Sequence, residues 1–304
     1  MQRSQSKKRI LGLPGGGATG ITSIRVLQAL EEKLARPITH LFDEIWASSV
    51  GSMIAAYLTE PLRPSNGVRT ADQVGQLIRE SFAGPWNALG SLQRLKKEIH
   101  PGVTLNDTVI PLKIMTAKIF GRLQRGNFLR DLRTEAIGLE REAFGSVSLV
   151  DAVAASSSVH PFFSPQRLRI QRENEEWVEC IDAGCVQCSE PALDPTRLFL
   201  NEMSSRGSIP ENGVQIFFIS NGWARWKCAI PEGVEVFNFD LDYLSWLESA
   251  GTRSTGHFIA TNLLGIGLAP PSFLDSLARD SLEGKNRELV ERMLEELRGA
   301  TNIR

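Results

Sequence analysis

Ser49 is the side chain best placed in the sequence to act as a nucleophile. It lies in segment 47–51, Ala-Ser-Ser-Val-Gly, between an apolar run at 42–46 and a helical pattern at 50–58. A serine on a tight turn between a strand and a helix is typical of a nucleophile elbow, whose usual pattern is Gly-x-Ser-x-Gly. The alternative is that Ser48 and Ser49 only cap the helix. The spacing puts Ser49, not Ser48, in the nucleophile position, but this segment alone does not decide between the two roles.

Asp182 is the candidate base. It follows an apolar run at 177–181 and precedes two small residues, Ala183 and Gly184, which leave its carboxylate unobstructed. A carboxylate in this position can take a proton directly from a serine hydroxyl if burial raises its affinity for that proton. The alternative is a turn aspartate that accepts hydrogen bonds from nearby backbone amides.

A glycine-rich loop is the third candidate element. Segment 14–20, Pro-Gly-Gly-Gly-Ala-Thr-Gly, joins a strand-like run to the first helical pattern. Its amides suit an oxyanion hole. The glycines also fit a dinucleotide-binding fingerprint, but that site needs an acidic residue at the end of the next strand, where Ser48 and Ser49 stand. A Walker phosphate loop is excluded because no Gly-Lys-Ser/Thr follows. We therefore favour the oxyanion hole.

Strand-like and helical patterns alternate along the chain. Short apolar runs indicate strands, and apolar residues at helical spacing indicate helices. Alternation of this kind predicts an α/β fold whose sheet is parallel at its centre. The predicted strands cover 9–13, 42–46, 112–120, 177–181 and 214–220, and the predicted helices cover 24–34, 50–58, 151–158 and 282–298, the last as a charged surface helix.

Taken together, these segments resemble the patatin-like phospholipase family in order and spacing. Residues 10–32 look like the family's opening strand, glycine loop and first helix, and residues 42–56 look like its nucleophile elbow. Residues 149–165 resemble the helix and proline-aromatic segment ahead of the family's aspartate, and 182–184 resemble the aspartate motif itself. Residues 216–222 are similar to a later family strand. Several concordant motifs in the right order are more specific than any one alone.

The resemblance implies a three-layer α/β/α fold with a mainly parallel central sheet. We expect a single domain over residues 1–304, with the motifs in 9–222 and a C-terminal extension at 223–304. Residues 60–103 are expected to form an insertion. Its apolar and basic side chains at 82–97 indicate either a lid that touches a bilayer or ordinary core packing with a solvated edge.

The resemblance also implies a Ser-Asp dyad. Asp182 would deprotonate Ser49, which would attack an ester carbonyl, while amides of Gly15, Gly16 and Gly17 stabilise the oxyanion and water releases the acyl group. The implied activity is that of a phospholipase A or lysophospholipase, with no cofactor and no metal. Two alternatives stay open: an acyltransferase or thioesterase that uses the same serine, and a catalytically weak lipid-binding or regulatory protein.

The sequence departs from the family pattern at four places. Thr19 replaces the arginine or lysine of the glycine loop, for which neighbouring Arg25 is the alternative cation. Pro14 replaces an aspartate, Ala47 replaces a glycine, and the residues at 183–184 are reordered. The first and third of these departures keep the catalytically weak alternative open.

Neither the histidines nor the cysteines suggest a better candidate site than Ser49 and Asp182. His257 is the one histidine after the aspartate that a Ser-Asp-His triad could use, but no motif surrounds it. His160 abuts the proline-aromatic segment, in either a pocket-lining or a structural role. Cys180, Cys185 and Cys188 bracket the aspartate without a nearby fourth ligand of standard spacing. We expect them to be small buried side chains rather than a metal site.

The overall charge narrows the range of partners. Lys plus Arg is 34 and Asp plus Glu is 35, a formal net charge of -1, which provides no general attraction to nucleic acid or to an anionic bilayer. We expect a phospholipid or other acyl-lipid substrate, transient membrane-surface contact at most, and no nucleic-acid partner. The lack of a signal-peptide pattern predicts a cytoplasmic protein, peripheral at a membrane if at all. The oligomeric state is left open.

Overall fold

The fold is built around a mixed sheet of eight β-strands. The computed structural model describes residues 7–62, 67–82, 87–120, 133–159, 163–170, 176–185, 195–220, 229–239, 271–284 and 286–299. The strands are β1 (Lys8–Leu13), β2 (Glu44–Ser48), β3 (Leu112–Phe120), β4 (Arg133–Leu139), β5 (Gln166–Ile170), β6 (Glu176–Ile181), β7 (Val214–Ile219) and β8 (Val234–Phe239).

Helices connect most of these strands. Within the described residues they are α1 (Gly20–Leu34), α2 (Val50–Thr59), α3 (Ala71–Ser81), α4 (Asn87–Glu98), α5 (Arg141–Phe144), α6 (Leu149–Ser156), α7 (Pro195–Ser205), α8 (Pro271–Glu283) and α9 (Arg287–Gly299). The strand predicted at 112–120 has the bounds of β3, and the other predicted strands differ from the observed ones by one or two residues at their ends.

The sheet is parallel through its centre and antiparallel at one side. β1, β2, β3, β7 and β8 run parallel in the order β3-β2-β1-β7-β8. β4 and β6 pair antiparallel with β3, and β5 pairs antiparallel with β6. Every residue of β7 is buried, as expected for a parallel strand that is covered on both faces. The predicted α/β sheet, parallel at its centre, is confirmed.

Helices cover both faces of the sheet. Alternate residues of a strand point to opposite faces, so Leu11 packs in the cluster under α1, α2 and α6, while Ile10 packs in the cluster under α7. In the second cluster the rings of Trp46 and Phe199 lie 5.6 Å apart. The predicted three-layer arrangement is therefore confirmed.

The ends of β2 and β6 meet beside β3. β2 pairs with the first half of β3 and ends with Ser48 opposite Met115. β6 comes from the other direction, pairs with the second half of β3 and ends with Ile181 opposite Ala117. The two strands point end to end toward Thr116, so the residues that follow each strand are brought together at one edge of the parallel sheet.

Segment 60–103 contributes to the main core. Val74 and Ile78 of α3 and Leu92 and Leu95 of α4 are buried in the same cluster as the apolar faces of α1 and α2. The two lysines after Leu95 are exposed. This arrangement is core packing with a solvated edge, while opening of the segment as a lid stays a prediction.

Two helices occupy the described C-terminal region where one was predicted. The pattern predicted a helix over 282–298, whereas α8 ends at Glu283 and α9 begins at Arg287. Within α9, Val290 and Leu294 are buried, so one side of this charged helix packs against the core. None of the described helices combines the length and the apolarity needed to cross a membrane.

Gly51 allows α2 to start in direct contact with the end of β1. A Cβ atom at this position would lie 2.1 Å from the carbonyl oxygen of Leu13 and 2.9 Å from that of Pro14. Both atoms belong to the backbone and cannot swing away as a flexible side chain can. The small residue two positions after Ser49 is therefore required by packing.

We expect Gly51→Ala to lower the free energy of unfolding by about 2 kcal/mol or more, because the added methyl group overpacks a rigid backbone contact. Gly299→Ala is the matched control, since a Cβ there meets nothing within 4 Å. Urea denaturation followed by tryptophan fluorescence measures both variants. Equal midpoints for the two variants would contradict the contact described here.

Candidate active site

Ser49 lies on the sharp turn between β2 and α2. Its backbone has φ 48° and ψ -125°, a conformation that side-chain-bearing residues rarely adopt. Such a conformation costs on the order of 1–3 kcal/mol and persists only where the surrounding structure holds it. The residue is 9% exposed. A strained serine between a strand and a helix is the geometry of a nucleophile elbow.

Hydrogen bonds hold the turn on both sides of the strained residue. The Ser49 amide donates to the Ser156 hydroxyl at 2.8 Å. The Ser49 carbonyl accepts from the Ser52 amide at 2.9 Å and from the Ser52 hydroxyl at 2.5 Å. The backbone of this residue is therefore fixed by α6 on one side and by the first turn of α2 on the other.

Asp182 lies directly after β6 and is 2% exposed. Burial raises the pKa of its carboxyl group to about 6, and the hydrogen bond with the Ser49 side chain and the bond from the Gly184 amide lower it in part. The Gly184 amide donates to the Asp182 carboxylate at 2.7 Å. The Asp182 amide donates to the Ser158 carbonyl at 3.1 Å. The side chains of the two residues singled out in the sequence as nucleophile and base therefore lie close enough for Ser49 to lower the pKa of Asp182.

The glycine loop lies beside the elbow. The Gly15 amide donates to the Ser48 hydroxyl at 2.9 Å, which ties the loop to the last residue of β2. Gly16 has φ 154° and Gly17 has φ 59°, and the second value lies in the left-handed region that favours glycine. The Thr19 hydroxyl donates to the Gly16 carbonyl at 2.7 Å. Gly15 therefore differs from Gly16 and Gly17, the other two predicted oxyanion residues, because its amide is already bound to the Ser48 side chain.

Arg25 does not take the place of the missing loop arginine. Its guanidinium binds Asp275 of α8 at 2.7 Å and the Gln28 side chain at 3.1 Å. Arg79 binds the same carboxylate at 3.1 Å. The suggestion that Arg25 supports the glycine loop is therefore wrong, because a carboxylate on another helix holds this side chain.

The remaining candidates divide between a buried cysteine and residues outside the described part of the chain. Cys180 is buried in β6, and burial raises the pKa of its thiol to about 12, so it behaves as a small apolar side chain. Among the described residues no group of three or more His, Cys, Asp or Glu side chains could hold a metal ion. His160, Cys188 and His257 lie outside the described residues, as does the side chain of Cys185.

Three buried hydroxyl residues that were not predicted from the sequence support the site. Ser156, Ser158 and Thr116 are fully buried, and each contacts a segment next to the elbow or the aspartate. The run of three serines at the end of α6 was a visible signal, because most buried hydroxyl groups in an apolar helix find hydrogen-bond partners. Which partners they find depends on the fold.

The arrangement has the parts that attack on an ester carbonyl needs. A serine side chain lies beside a carboxylate whose proton affinity is raised by burial, and such a pair can transfer a proton. Ser49 also directly precedes α2. The first amides of this helix and the positive end of its dipole can therefore stabilise the negative charge that develops on the ester oxygen during attack. The nearby glycine loop supplies further backbone amides.

Comparisons with known proteins agree with this geometry. A sequence model described as patatin-like phospholipase matches residues 11–188. A curated Escherichia coli protein described as a cUMP-AMP-activated phospholipase is 30% identical over 185 residues, which are 58% of this chain and 54% of the relative. The chain thus spans about half the length of that relative.

Two solved structures are also similar over most of this chain. VipD from Legionella pneumophila has 13% identity and a TM-score of 0.41, with 95% of this chain and 67% of VipD covered. The type III effector protein ExoU has 12% identity and a TM-score of 0.37, with 95% of this chain and 53% of ExoU covered.

The family model covers more than half of the chain and includes the glycine loop, the elbow and the aspartate. This chain therefore belongs to the patatin-like phospholipase family.

Proposed function

We propose that this protein is a serine lipid acyl hydrolase that cleaves carboxylic ester bonds of phospholipids or related acyl lipids. Membership of the family supports lipid hydrolysis in general. The observation that carries the finer proposal is the position of the strained Ser49 beside the buried Asp182 carboxylate, whose pKa the Ser49 side chain lowers in part. The reaction then proceeds through an acyl-serine intermediate, as in a phospholipase A or lysophospholipase.

Acylation begins with proton transfer. Asp182 takes the hydroxyl proton of Ser49 as its oxygen attacks the ester carbonyl carbon. The C–O bond to the lipid alcohol then breaks, and the alcohol leaves with the proton that Asp182 carries. The acyl chain stays on Ser49 as an ester.

Deacylation repeats the same steps with water. Asp182 accepts a proton from a water molecule whose oxygen attacks the acyl-serine carbonyl. The bond to Ser49 breaks, the serine oxygen recovers a proton from Asp182, and a free fatty acid leaves. Because the carboxylate returns to its ionised form, the enzyme is restored after each turnover.

We assign the oxyanion hole to the amides of Gly16 and Gly17, with Gly15 as the anchor of the loop. Thr19 supports this assignment. Its hydroxyl holds the Gly16 carbonyl, and in a trans peptide the following amide points the opposite way. Fixing the Gly16 carbonyl therefore fixes the direction of the Gly17 amide. A neutral side chain thus orients the loop where the family pattern has a basic one.

The strained elbow argues against a purely lipid-binding role. A φ of 48° at Ser49 costs stability, and a protein that only binds lipid gains nothing from a strained serine beside a buried carboxylate. Acyl transfer to an alcohol or a thioesterase reaction would use the same intermediate. These reactions are therefore distinguished in an assay by the acyl donor and the acyl acceptor that are supplied, because the site would be the same for each of them.

The substrate is best identified by a screen of lipid vesicles. We would incubate the protein with phospholipid, lysophospholipid and galactolipid and measure released fatty acid, with alcohol or thiol acceptors in parallel. Each assay should be run with and without cUMP-AMP, because the Escherichia coli relative is described as activated by that nucleotide. Release that appears only with the nucleotide would extend that regulation to this chain.

The nucleophile is tested with a fluorophosphonate probe. We expect Ser49→Ala to abolish labelling and to lower lipid hydrolysis by at least about a thousand-fold, since no other group replaces the attacking oxygen. Ser48→Ala should still be labelled, at a reduced rate, because Ser48 anchors the glycine loop but is not the nucleophile. Labelling that needs Ser48 and survives Ser49→Ala would overturn the assignment.

The pH dependence should report the base. Only the ionised carboxylate of Asp182 can accept the serine proton, and its pKa is raised to about 6. We expect kcat/KM on a water-soluble chromogenic ester to rise as pH increases through about 6 and then to level off. A rate that is constant from about pH 5 to 7, or that falls, would contradict Asp182 as the base.

The same burial means that ionisation of Asp182 lowers the free energy of unfolding. Its pKa rises from 3.8 to about 6, which corresponds to roughly 3 kcal/mol at neutral pH. The cost accumulates as pH rises from about 4 to about 6, because the unfolded chain loses this proton first. It stays constant at higher pH.

We therefore expect Asp182→Asn to abolish activity while raising the free energy of unfolding at about pH 8, by up to about 3 kcal/mol. Near pH 4 the two proteins should unfold alike. Urea titrations of both proteins at the two pH values measure the difference. An inactive variant that is less stable than wild type at pH 8 would show that the carboxylate is held by compensating interactions.

A further inference from the structure

The C-terminal end of α6 contacts both segments of the candidate active site. Ser156, in its last turn, is fully buried, and its hydroxyl accepts a hydrogen bond from the Ser49 amide at 2.8 Å. Two residues later, the Ser158 carbonyl accepts from the Asp182 amide at 3.1 Å. One short stretch of chain therefore holds the backbone of both proposed catalytic residues.

The direction of the Ser156 hydroxyl is fixed. It donates to the Met115 carbonyl of β3 at 2.6 Å. A hydroxyl group has one proton, so once that proton is given to a carbonyl, the remaining lone pairs of its oxygen are left to accept the Ser49 amide. Ser156 thus links the elbow to β3, the strand along which β2 and β6 are aligned.

This bond falls on the strained residue. The φ of 48° at Ser49 is kept only by its surroundings, and the Ser49 amide is one of the groups by which the surroundings act on it. Without an acceptor, the amide would be left buried and unpaired, and the turn would move to find another partner. Such a movement would carry the Ser49 oxygen away from Asp182.

We propose that Ser156 is a positioning residue, whose hydroxyl holds the Ser49 backbone in the conformation that presents the serine oxygen to Asp182. The proposal rests on the function proposed above. Ser156 is fully buried and acts through the bond to the Ser49 amide. Its loss should lower the rate of acylation and leave substrate binding unchanged.

The neighbouring Ser157 provides a matched control. It is also buried, and its hydroxyl makes no hydrogen bond within the described residues. Ser157→Ala and Ser156→Ala remove the same atom from adjacent positions, but only Ser156→Ala removes the acceptor of the Ser49 amide. Ser156→Cys keeps a weaker acceptor of similar size and should behave as an intermediate.

The test combines kinetics with hydrogen exchange. We expect Ser156→Ala to lower kcat and the rate of fluorophosphonate labelling by about 10- to 100-fold, with KM and the apparent pKa near 6 unchanged. Ser157→Ala should react at the wild-type rate. Exchange of the Ser49 amide, followed by mass spectrometry of the elbow peptide, should accelerate at least about ten-fold in Ser156→Ala only. Rates are expressed per folded protein, so loss of stability alone does not imitate the effect.

Each outcome separates the two proposals. If folded Ser156→Ala is labelled at the wild-type rate, the positioning role is overturned and the dyad stands. If the wild type is neither labelled nor active on lipid vesicles, the proposed function fails, and the exchange measurement then decides the positioning role by itself. Unchanged exchange at Ser49 in Ser156→Ala would overturn that role in either case.

Discussion

The geometry of the site depends on one strand that is shared by two partners. β3 pairs with parallel β2 along its first half and with antiparallel β6 along its second half. Both partners stop beside Thr116, whose hydroxyl contacts the carbonyls of Ile181 and Ala155. Because burial of the strand faces fixes the pairing register, it also fixes the distance between the two strand ends. The serine and the aspartate, far apart in the sequence, therefore meet on short rigid connections.

The site keeps two features that cost stability. Ser49 has a strained backbone, and Asp182 is a buried carboxylate with a raised pKa. A fold tolerates such features when a large core offsets them, and here apolar clusters lie on both faces of the sheet. Their coincidence in two neighbouring side chains is typical of a functional site, because a purely structural turn gains nothing from either feature.

Neutral hydrogen bonds support the site where the family pattern has a charged residue. Thr19 holds the glycine loop through the Gly16 carbonyl, and Ser48 holds it through the Gly15 amide. Arg25, the nearest alternative cation, is paired with Asp275 on α8. Small hydroxyl side chains suit a crowded interior, since each satisfies a backbone group without bringing in a charge that would itself need a partner.

The sequence by itself determined the family and the α/β class, and it singled out Ser49 and Asp182 as the candidate pair, because strand-turn-helix patterns and small flanking residues are local signals. It did not predict β4, β5 and β8, which lie at the margins of the sheet, and the runs of β4 and β5 carry several polar or charged residues. Only the tertiary structure decided that Ser48 binds Gly15 and that Ser156 binds the elbow. Those hydrogen bonds join groups that are distant in the chain, so strand register and helix packing, rather than any local pattern, select the partners.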